Sequence, residues 1–181
     1  FHFEHQKNRG LPRTLNKMIR IATGKYIALV ASDDVYHPDK IKTMVEYFEE
    51  LPDRAAVVFG NAAFIDSKDA EIELTQNLKH FGDVVSYFLS PRAELNIDQL
   101  EVNYKTILGG NFIPALSTLI KREALIKVGL FEESINLEDW SMWLKIARNQ
   151  AFYFLNTRVA YYRVHDSNAS ITNKDGLAAD V

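Results

Sequence analysis

The sequence predicts an α/β fold, and two observations support this. Helical and strand-like patterns alternate over the first sixty residues, and the connections between them are short. Such alternation is typical of a largely parallel sheet covered by helices. The chain has 181 residues, 47% hydrophobic and 25% charged, which is enough for a single domain with its own core.

The first predicted helix covers residues 13–22, because its apolar residues recur at i, i+3, i+4 and i+7 and so share one helical face. The apolar run Tyr26–Val30 predicts a strand. Pro38 suits the first turn of a second helix. The next apolar run, Ala55–Gly60, predicts a buried strand of an α/β sheet.

The second half of the sequence alternates in the same way. Weak helical patterns lie around residues 84–89 and 97–104, followed by a strand-like run at 116–120. A short helix at 122–128 is predicted to stop at Gly129. A helix carrying Trp140, Trp143, Leu144 and Ala147 on one face comes next. Two final strands, a hairpin or a neighbouring pair, are predicted by AFYFLN and RVAYYRVH.

Two adjacent carboxylates, Asp33 and Asp34, directly follow the predicted strand Tyr26–Val30. Neighbouring carboxylates repel each other unless a cation, a helix dipole or open water compensates them. Either Asp34 or Asp39 caps the following helix, or the pair helps to hold a hard divalent cation together with substrate phosphates. The residues alone leave both alternatives open. Ligands of α/β sheets bind beyond the carboxyl ends of strands, where these acids stand.

Two other groups are candidates for chemistry. Glu138 and Asp139 open a predicted helix, where a carboxylate is explained equally well by the helix dipole or by a general base that removes a proton from a hydroxyl. His165 ends the last predicted strand, and Arg163 stands two positions earlier on the same face. Most such residues are structural, although imidazole can bind a metal and guanidinium a phosphate.

Composition restricts the partners and the location. The 21 basic and 24 acidic residues give a formal charge of -3, which offers no general attraction for nucleic acid. The absence of cysteine excludes disulfides and thiolate sites and fits a reducing compartment. No apolar segment approaches the roughly 20 residues needed to cross a bilayer. We expect a cytoplasmic protein without a nucleic-acid partner; a peripheral position at the inner face of the membrane is compatible with this.

Three blocks of the sequence, in this order, resemble glycosyltransferase family 2, a family with the GT-A fold. The first is NRGLPRTLNKMIRIATGKYIALVASDDVYHPDKI, the second is ALSTLIKREALIKVGLFEESINLEDWSMWLKIA, and the third is YYRVHDSNASI. Together they cover nearly all of the chain. The resemblance implies a three-layer α/β/α sandwich with a mixed, mainly parallel sheet, and a partial catalytic domain over residues 1–181.

This resemblance implies an enzyme that transfers a sugar from a nucleotide-diphosphate donor to a hydroxyl, with inversion at the anomeric carbon. The acceptor would be a saccharide or a lipid-linked saccharide, in the synthesis of a surface polysaccharide. Asp33 and His165 would hold the divalent metal, Mn²⁺ or Mg²⁺, and Asp139 would be the general base with Glu138 beside it. The implied donor-binding residues are Asn8, Gly10, Asp34 and Arg163.

The sequence departs from the family pattern in two places. Ala31 stands where the family usually has an acid, two positions before Asp33, which would weaken the metal site or alter its geometry. The family's first strand and nucleotide-recognising loop have no match. We therefore expect a truncated domain that lacks the first strands and binds its donor weakly. We also expect copies to self-associate through the sheet edge left open.

Two alternatives compete with the transferase interpretation. One is a non-catalytic binding module that retains the fold. The other is a different nucleotide-sugar enzyme such as a nucleotidyltransferase, which would ordinarily show a glycine-rich, basic phosphate loop near its start; this sequence has none. The transferase interpretation requires that Asp33 and Asp139, distant in the chain, face a shared cleft.

Overall fold

Helices and strands alternate along the chain, as the sequence predicts. The structure is a computed structural model that describes residues 3, 5–91, 101–135, 138–166 and 168. The helices are α1 (Leu11–Ile21), α2 (Lys40–Glu49), α3 (Val84–Leu89), α4 (Tyr104–Leu108), α5 (Arg122–Lys127) and α6 (Glu138–Ala147), with a 3-10 turn at Ala115–Ser117. The strands are β1 (Tyr26–Ile27), β2 (Val35–Tyr36), β3 (Ala55–Ile65), β4 (Glu71–Ile72), β5 (Leu74–Gln76), β6 (Lys79–Phe81), β7 (Glu101–Val102), β8 (Thr118–Lys121) and β9 (Ala151–Arg163).

A mixed seven-stranded sheet forms the middle of the molecule. Its order is β1-β8-β3-β9-β2, with β4 added beside β3 and β7 beside β9. The two longest strands, β3 and β9, pair in parallel, and shorter antiparallel pairs surround them. Ten of the eleven residues of β3 are buried, as expected for a central strand covered on both faces.

Helices cover both faces of this sheet. One face packs against α1, α4, α5 and α6, through a cluster that includes Ile19, Leu125 and Trp143. The other face packs against α2 and the 3-10 turn, through Met44 and Phe48 among others. The α/β class and the three-layer sandwich implied by the resemblance are therefore confirmed.

Several predicted elements differ from the structure; the strand predicted at 116–120, for example, is a 3-10 turn up to Ser117 and a strand only from Thr118. The runs AFYFLN and RVAYYRVH form one continuous strand, β9, which ends at Arg163, rather than a pair of strands. An irregularity of its pairing with β3 around Asn61 accommodates the exposed residues Asn156, Thr157 and Arg158. Gly60 permits this irregularity, since a Cβ there would meet Val159 at 2.7 Å. The helix predicted at 97–104 begins only at Tyr104, after β7, and residues 97–100 lie outside the described part of the chain.

The segment that carries the paired acids crosses the sheet. β1 and β2 stand at opposite ends of the strand order, four strand spacings apart, or about 19 Å. Residues 28–34 make the connection, and seven residues reach at most about 25 Å. Ser32 and Asp33 form a bend within this crossing segment. The predicted strand Tyr26–Val30 pairs with β8 only at its first two residues, because the crossing segment begins after Ile27.

A buried lysine fixes the start of the helix that follows this crossing. The Lys40 ammonium donates a hydrogen bond to the Leu116 carbonyl and stands 3.7 Å from the centroid of the Tyr36 ring. Burial lowers the pKa of Lys40 to about 7. The contacts join β2, α2 and the 3-10 turn, and so hold the end of the crossing segment.

The edge of the sheet and the membrane question bear on the predicted partners and location. β1 ends the strand order, so one of its sides has no strand beside it in the described part of the chain. The predicted self-association through this edge stays a prediction.

Among the described residues, no helix combines the length and apolarity needed to span a bilayer.

Candidate active site

The structure brings four of the predicted site residues together at the carboxyl end of β9. The imidazole Nε2 of His165 lies 3.0 Å from Oδ2 of Asp33. The backbone N–H of Arg163 donates to Oδ1 of Asp34 at 3.0 Å. Asp33 and His165 are 132 positions apart in the chain, yet their side chains remain partly open to solvent, at 34% and 27% exposure. We call these four residues the diacid cluster.

The Arg163 guanidinium makes hydrogen bonds to three groups of the chain itself. Its Nε donates to the backbone carbonyl of Asp33 at 2.7 Å, and Nη1 donates to the carbonyl of Asp66 at 2.6 Å. Nη2 reaches Oδ1 of Asp69 at 2.5 Å. Arg163 thereby fastens the crossing segment to the turn after β3. This arrangement supports a positioning role for Arg163 beside the donor-binding role that the resemblance implies.

Capping does not explain the paired acids. Asp39 occupies the N-cap position of α2, but its side chain makes no capping hydrogen bond, and Asp34 instead accepts from Arg163. Burial raises the pKa of Asp34 to about 6, against the lowering effect of that backbone hydrogen bond. The negative charge of Asp33 raises the pKa of Asp34 further. The Arg163 guanidinium lowers the pKa of Asp34, so the chain itself compensates part of the charge of the pair, and a bound cation would add to this compensation.

The pair of Asp33 and His165 fits a divalent cation that is completed by substrate. Two neighbouring ligands of an octahedral ion at about 2.1 Å stand about 3.0 Å apart, the spacing found between Oδ2 and Nε2. Magnesium sites commonly take one or two carboxylates and leave the other positions to phosphates and water. Within the described residues no set of three or more His, Cys, Asp or Glu side chains could hold a metal. Ala31, which replaces the usual acid, is exposed and offers no ligand.

The second group of predicted residues stands at the N-terminus of α6. Burial raises the pKa of Glu138 to about 7, and the neighbouring charge of Asp139 adds to this effect. Burial also raises the pKa of Asp139, while hydrogen bonds from Asn111 and from the backbone N–H of Trp140 lower it. A carboxylate whose pKa is raised towards neutrality is a better general base than an exposed one.

Packing relates this group to the sheet. Three residues separate α6 from β9, and Trp143 lies against Phe152 with ring centroids 6.0 Å apart, so the helix runs back along the strand. The N-terminus of α6 therefore points towards the carboxyl half of β9, the half that leads to Arg163. No hydrogen bond or ion pair joins Asp139 to the diacid cluster within the described ranges. That they face one cleft stays a prediction.

Asn8 and Gly10 stand at the start of α1, and within the described residues no hydrogen bond or ion pair joins them to either group. The Asn8 side-chain oxygen accepts the Gly10 backbone N–H at 2.9 Å, and Gly10, with φ of 85°, is the N-cap of the helix. These two residues form a turn, and their donor-binding role stays a prediction. An open cavity of about 530 Å³ elsewhere on the molecule is lined by Glu71, Ile72, Glu73, Gly82, Asp83 and Arg158. None of the predicted site residues lines it.

The sequence analysis missed two kinds of site residue. Asn111 contacts Asp139, and its signal was a lone polar residue between a Gly-Gly bend and an apolar run, in ILGGNFIPAL. Asp66 and Asp69 hold Arg163, but only the register of β3 against β9 places them there. Nothing in the local pattern indicates that contact.

Replacing Arg163 by Met is expected to lower the free energy of unfolding by about 2 kcal/mol, because partly buried carbonyls at Asp33 and Asp66 lose a charged donor. Urea denaturation followed by circular dichroism measures this change. Arg158→Met is the control, since the Arg158–Glu71 pair is 46% and 55% exposed and should contribute less than about 1 kcal/mol. Equal losses in the two variants would contradict the bracing role of Arg163.

Comparison with known proteins shows what this chain is similar to. A sequence model of the family described as Glycosyl transferase family 2 matches residues 1–129, a range that includes Asp33 and Asp34 but ends before Asp139 and His165. An uncharacterized glycosyltransferase of Rickettsia felis is 25% identical over 167 residues, which is 92% of this chain and 25% of that protein. The amylovoran biosynthesis glycosyltransferase AmsE of Erwinia amylovora is 21% identical over 141 residues, 78% of this chain and 45% of that protein. The chain thus spans from a quarter to less than half of the length of these relatives.

Two solved structures share the fold. The mannosyltransferase PcManGT from Pyrobaculum calidifontis, in complex with GDP-Man and Mn²⁺, matches with a TM-score of 0.61 at 15% identity, over 92% of this chain and 40% of that one. S. aureus TarS 1-349, in complex with UDP-GlcNAc, matches with a TM-score of 0.59 at 15% identity, over 88% of this chain and 40% of that one. At this level of identity the two structures establish the architecture alone.

Proposed function

Because this chain belongs to glycosyl transferase family 2, we propose that it transfers a sugar from a nucleoside-diphosphate donor to a hydroxyl group, with inversion at the anomeric carbon. The observation that carries this proposal is the contact between Asp33 and His165. It joins two residues of separate sequence blocks at the carboxyl end of the sheet, with a spacing suited to a divalent cation.

The transfer needs a base and a good leaving group. The acceptor oxygen attacks the anomeric carbon, the bond from that carbon to the diphosphate oxygen breaks, and the leaving diphosphate takes the bonding electrons. Asp139 accepts the proton of the attacking hydroxyl, since burial at the N-terminus of α6 raises the pKa of its carboxyl. Glu138 lies next to it, and its pKa of about 7 keeps it partly protonated at neutral pH. A single negative charge is therefore favoured at this helix terminus.

Asp33 and His165 would hold the cation, Mn²⁺ or Mg²⁺. The bound ion would offset the charge that grows on the leaving diphosphate. Arg163 donates hydrogen bonds to the backbone carbonyl of Asp33 and to the side chain of Asp34. These two contacts hold the crossing segment, so that the Asp33 carboxylate stays beside His165. Asn8 and Gly10 would contribute to donor binding from the turn before α1.

The substrate class follows from the similar proteins and remains part of the proposal. The two structural neighbours carry UDP-GlcNAc and GDP-Man, so both donor types belong in a test. The name of AmsE refers to the biosynthesis of amylovoran, which supports a saccharide or lipid-linked saccharide acceptor in polysaccharide synthesis.

A donor panel tests the proposal. We expect sugar transfer from a nucleoside-diphosphate sugar that requires Mn²⁺ or Mg²⁺ and stops when a chelator is added. Product linkage, read by NMR, should show inversion. Transfer that persists without metal would contradict the role of Asp33 and His165. If no donor is consumed, by this chain or by a longer polypeptide that contains it, the non-catalytic binding module is the better interpretation.

A further inference from the structure

The surroundings of Asp139 contain a feature that neither the sequence blocks nor the proposed reaction explains. The side-chain amide of Asn111 donates from Nδ2 to both carboxylate oxygens of Asp139, at 3.2 Å each. The backbone N–H of Trp140 donates to Oδ1 at 2.7 Å. Oδ1 thus accepts two hydrogen bonds. Among the hydrogen bonds from other described residues, Oδ2 accepts only the shared one from Asn111; the backbone N–H of Asp139 itself also lowers the pKa of this carboxyl.

We propose that Asn111 is a positioning residue that fixes the carboxylate of Asp139 and leaves Oδ2 as the oxygen that takes the acceptor's proton. The inference rests on the proposed function, because it presupposes that Asp139 is the base. In the transfer, the acceptor O–H proton passes to Oδ2 as the new carbon–oxygen bond forms and the diphosphate departs.

The local fold presents Asn111 to the helix. α4 ends at Leu108, and Gly110, with φ of 146°, turns the chain in a conformation that other residues rarely adopt. The indole Nε1 of Trp140 donates to the carbonyl of Ile107 at 2.9 Å, which fastens the first turn of α6 to the end of α4. Asn111 and Asp139 therefore approach each other from two elements that are already joined.

The other half of the Asn111 amide points to the same role. Its Oδ1 is buried and has no hydrogen-bond partner among the described residues. A buried acceptor without a partner destabilises the fold, so only the donor half of this amide makes a favourable contact. Rotating the amide by half a turn would set Oδ1 against both oxygens of Asp139, where two acceptors repel. The donor half is what the site requires.

Among the described residues on α6 and the elements packed against it, no charged side chain holds the Asp139 carboxylate in place of Asn111. Glu138 is the neighbouring titratable group on α6, and it carries no donor when ionised. The remaining titratable and charged residues on the elements packed against α6 are Tyr104 and Lys105 on α4, Arg122, Glu123 and Lys127 on α5, and Tyr153, Arg158, Tyr161, Tyr162 and Arg163 on β9. Across the described ranges, none of them makes a hydrogen bond or an ion pair with Asp139.

A titration that requires no catalysis tests the inference. The carboxyl carbon of Asp139 is followed by NMR against pH in the wild type and in Asn111→Leu, and its signal is assigned by its loss in Asp139→Asn. Removing a hydrogen bond to the ionised carboxylate should raise the midpoint by about one pH unit. Asn111→Gln keeps an amide donor, so its midpoint should lie at least halfway back from the Asn111→Leu value to the wild-type value. If Asn111→Leu does not fold, Asn111→Ser is measured in its place.

Transfer kinetics provide the second readout. Asn111→Leu should lower kcat roughly tenfold to a hundredfold and move the acid limb of the kcat profile to higher pH, with the donor KM unchanged. A merely structural residue would change the yield of folded protein without moving that limb. An unchanged Asp139 midpoint in folded Asn111→Leu overturns the inference even if Asp139→Asn is inactive. If the Asp139 midpoint shifts but no sugar transfer is detected, the proposed function is contradicted, whereas the positioning of Asp139 by Asn111 is supported.

Discussion

Asp139→Asn is expected to lower the turnover of sugar transfer by roughly 10³-fold, within the range of 10²–10⁴ found for general-base catalysis. The amide has nearly the shape of the carboxylate but cannot accept the proton of the acceptor hydroxyl. Donor binding should persist, because Asp139 makes no hydrogen bond or ion pair with the diacid cluster in the described structure. Steady-state kinetics with a single donor and acceptor measure both quantities.

Glu123→Gln is the matched control for this change. Glu123 is also an acid in the first turn of a helix, α5, but it is exposed. Its replacement should leave turnover within a factor of two. If Asp139→Asn keeps near-wild-type turnover while folded, the assignment of the base is wrong.

The pH dependence of turnover has an expected direction. Burial raises the pKa of Asp139, and a base works only when it is deprotonated. Turnover should therefore rise as pH increases, with an acid limb above the range of an exposed aspartate. A limb in the ordinary aspartate range would show that Asp139 is more open to water in the working enzyme than in this structure.

Much of the fold could be predicted because its signals are local. The periodicity of α1, the apolar run of β3 and the acids that open α6 each depend on neighbours within a few residues. The pairing of β9 could not be predicted in the same way. The exposed residues within it resemble a turn, and only the long parallel contact with β3 keeps the strand continuous.

The candidate site divides along the same line. The alternation of the strand places Arg163 and His165 on one face, and the sequence analysis used this pattern. Asp66 and Asp69 contact Arg163 because Ile65 pairs with Arg163 in the parallel register of β3 and β9. The predicted hairpin of two separate strands does not imply this pairing. Asn111 stands 28 positions from Asp139 and carries no periodic signal. Contacts fixed by tertiary packing were therefore the part that the sequence left undetermined.

Asp33→Asn is expected to weaken the metal response of His165 at least tenfold. In the wild type, substoichiometric Mn²⁺ should broaden the imidazole NMR signals of His165, because a bound paramagnetic ion would contact the ring beside Oδ2 of Asp33. Loss of a partner around a metal ligand typically costs 10–100-fold in affinity, and loss of a ligand should cost at least as much. The broadening should then require at least tenfold more Mn²⁺. This readout works even where donor binding is weak.

Asp39→Asn separates this effect from a general loss of negative charge. Asp39 follows the same crossing segment, but its side chain is 71% exposed and stands 3.9 Å from the ring of His37 rather than near His165. The variant should keep the broadening of His165 within a factor of two. Because both changes remove one charge, only a metal held directly by Asp33 predicts different outcomes. Equal broadening in Asp33→Asn and in the wild type would mean that the contact between Asp33 and His165 is a structural hydrogen bond.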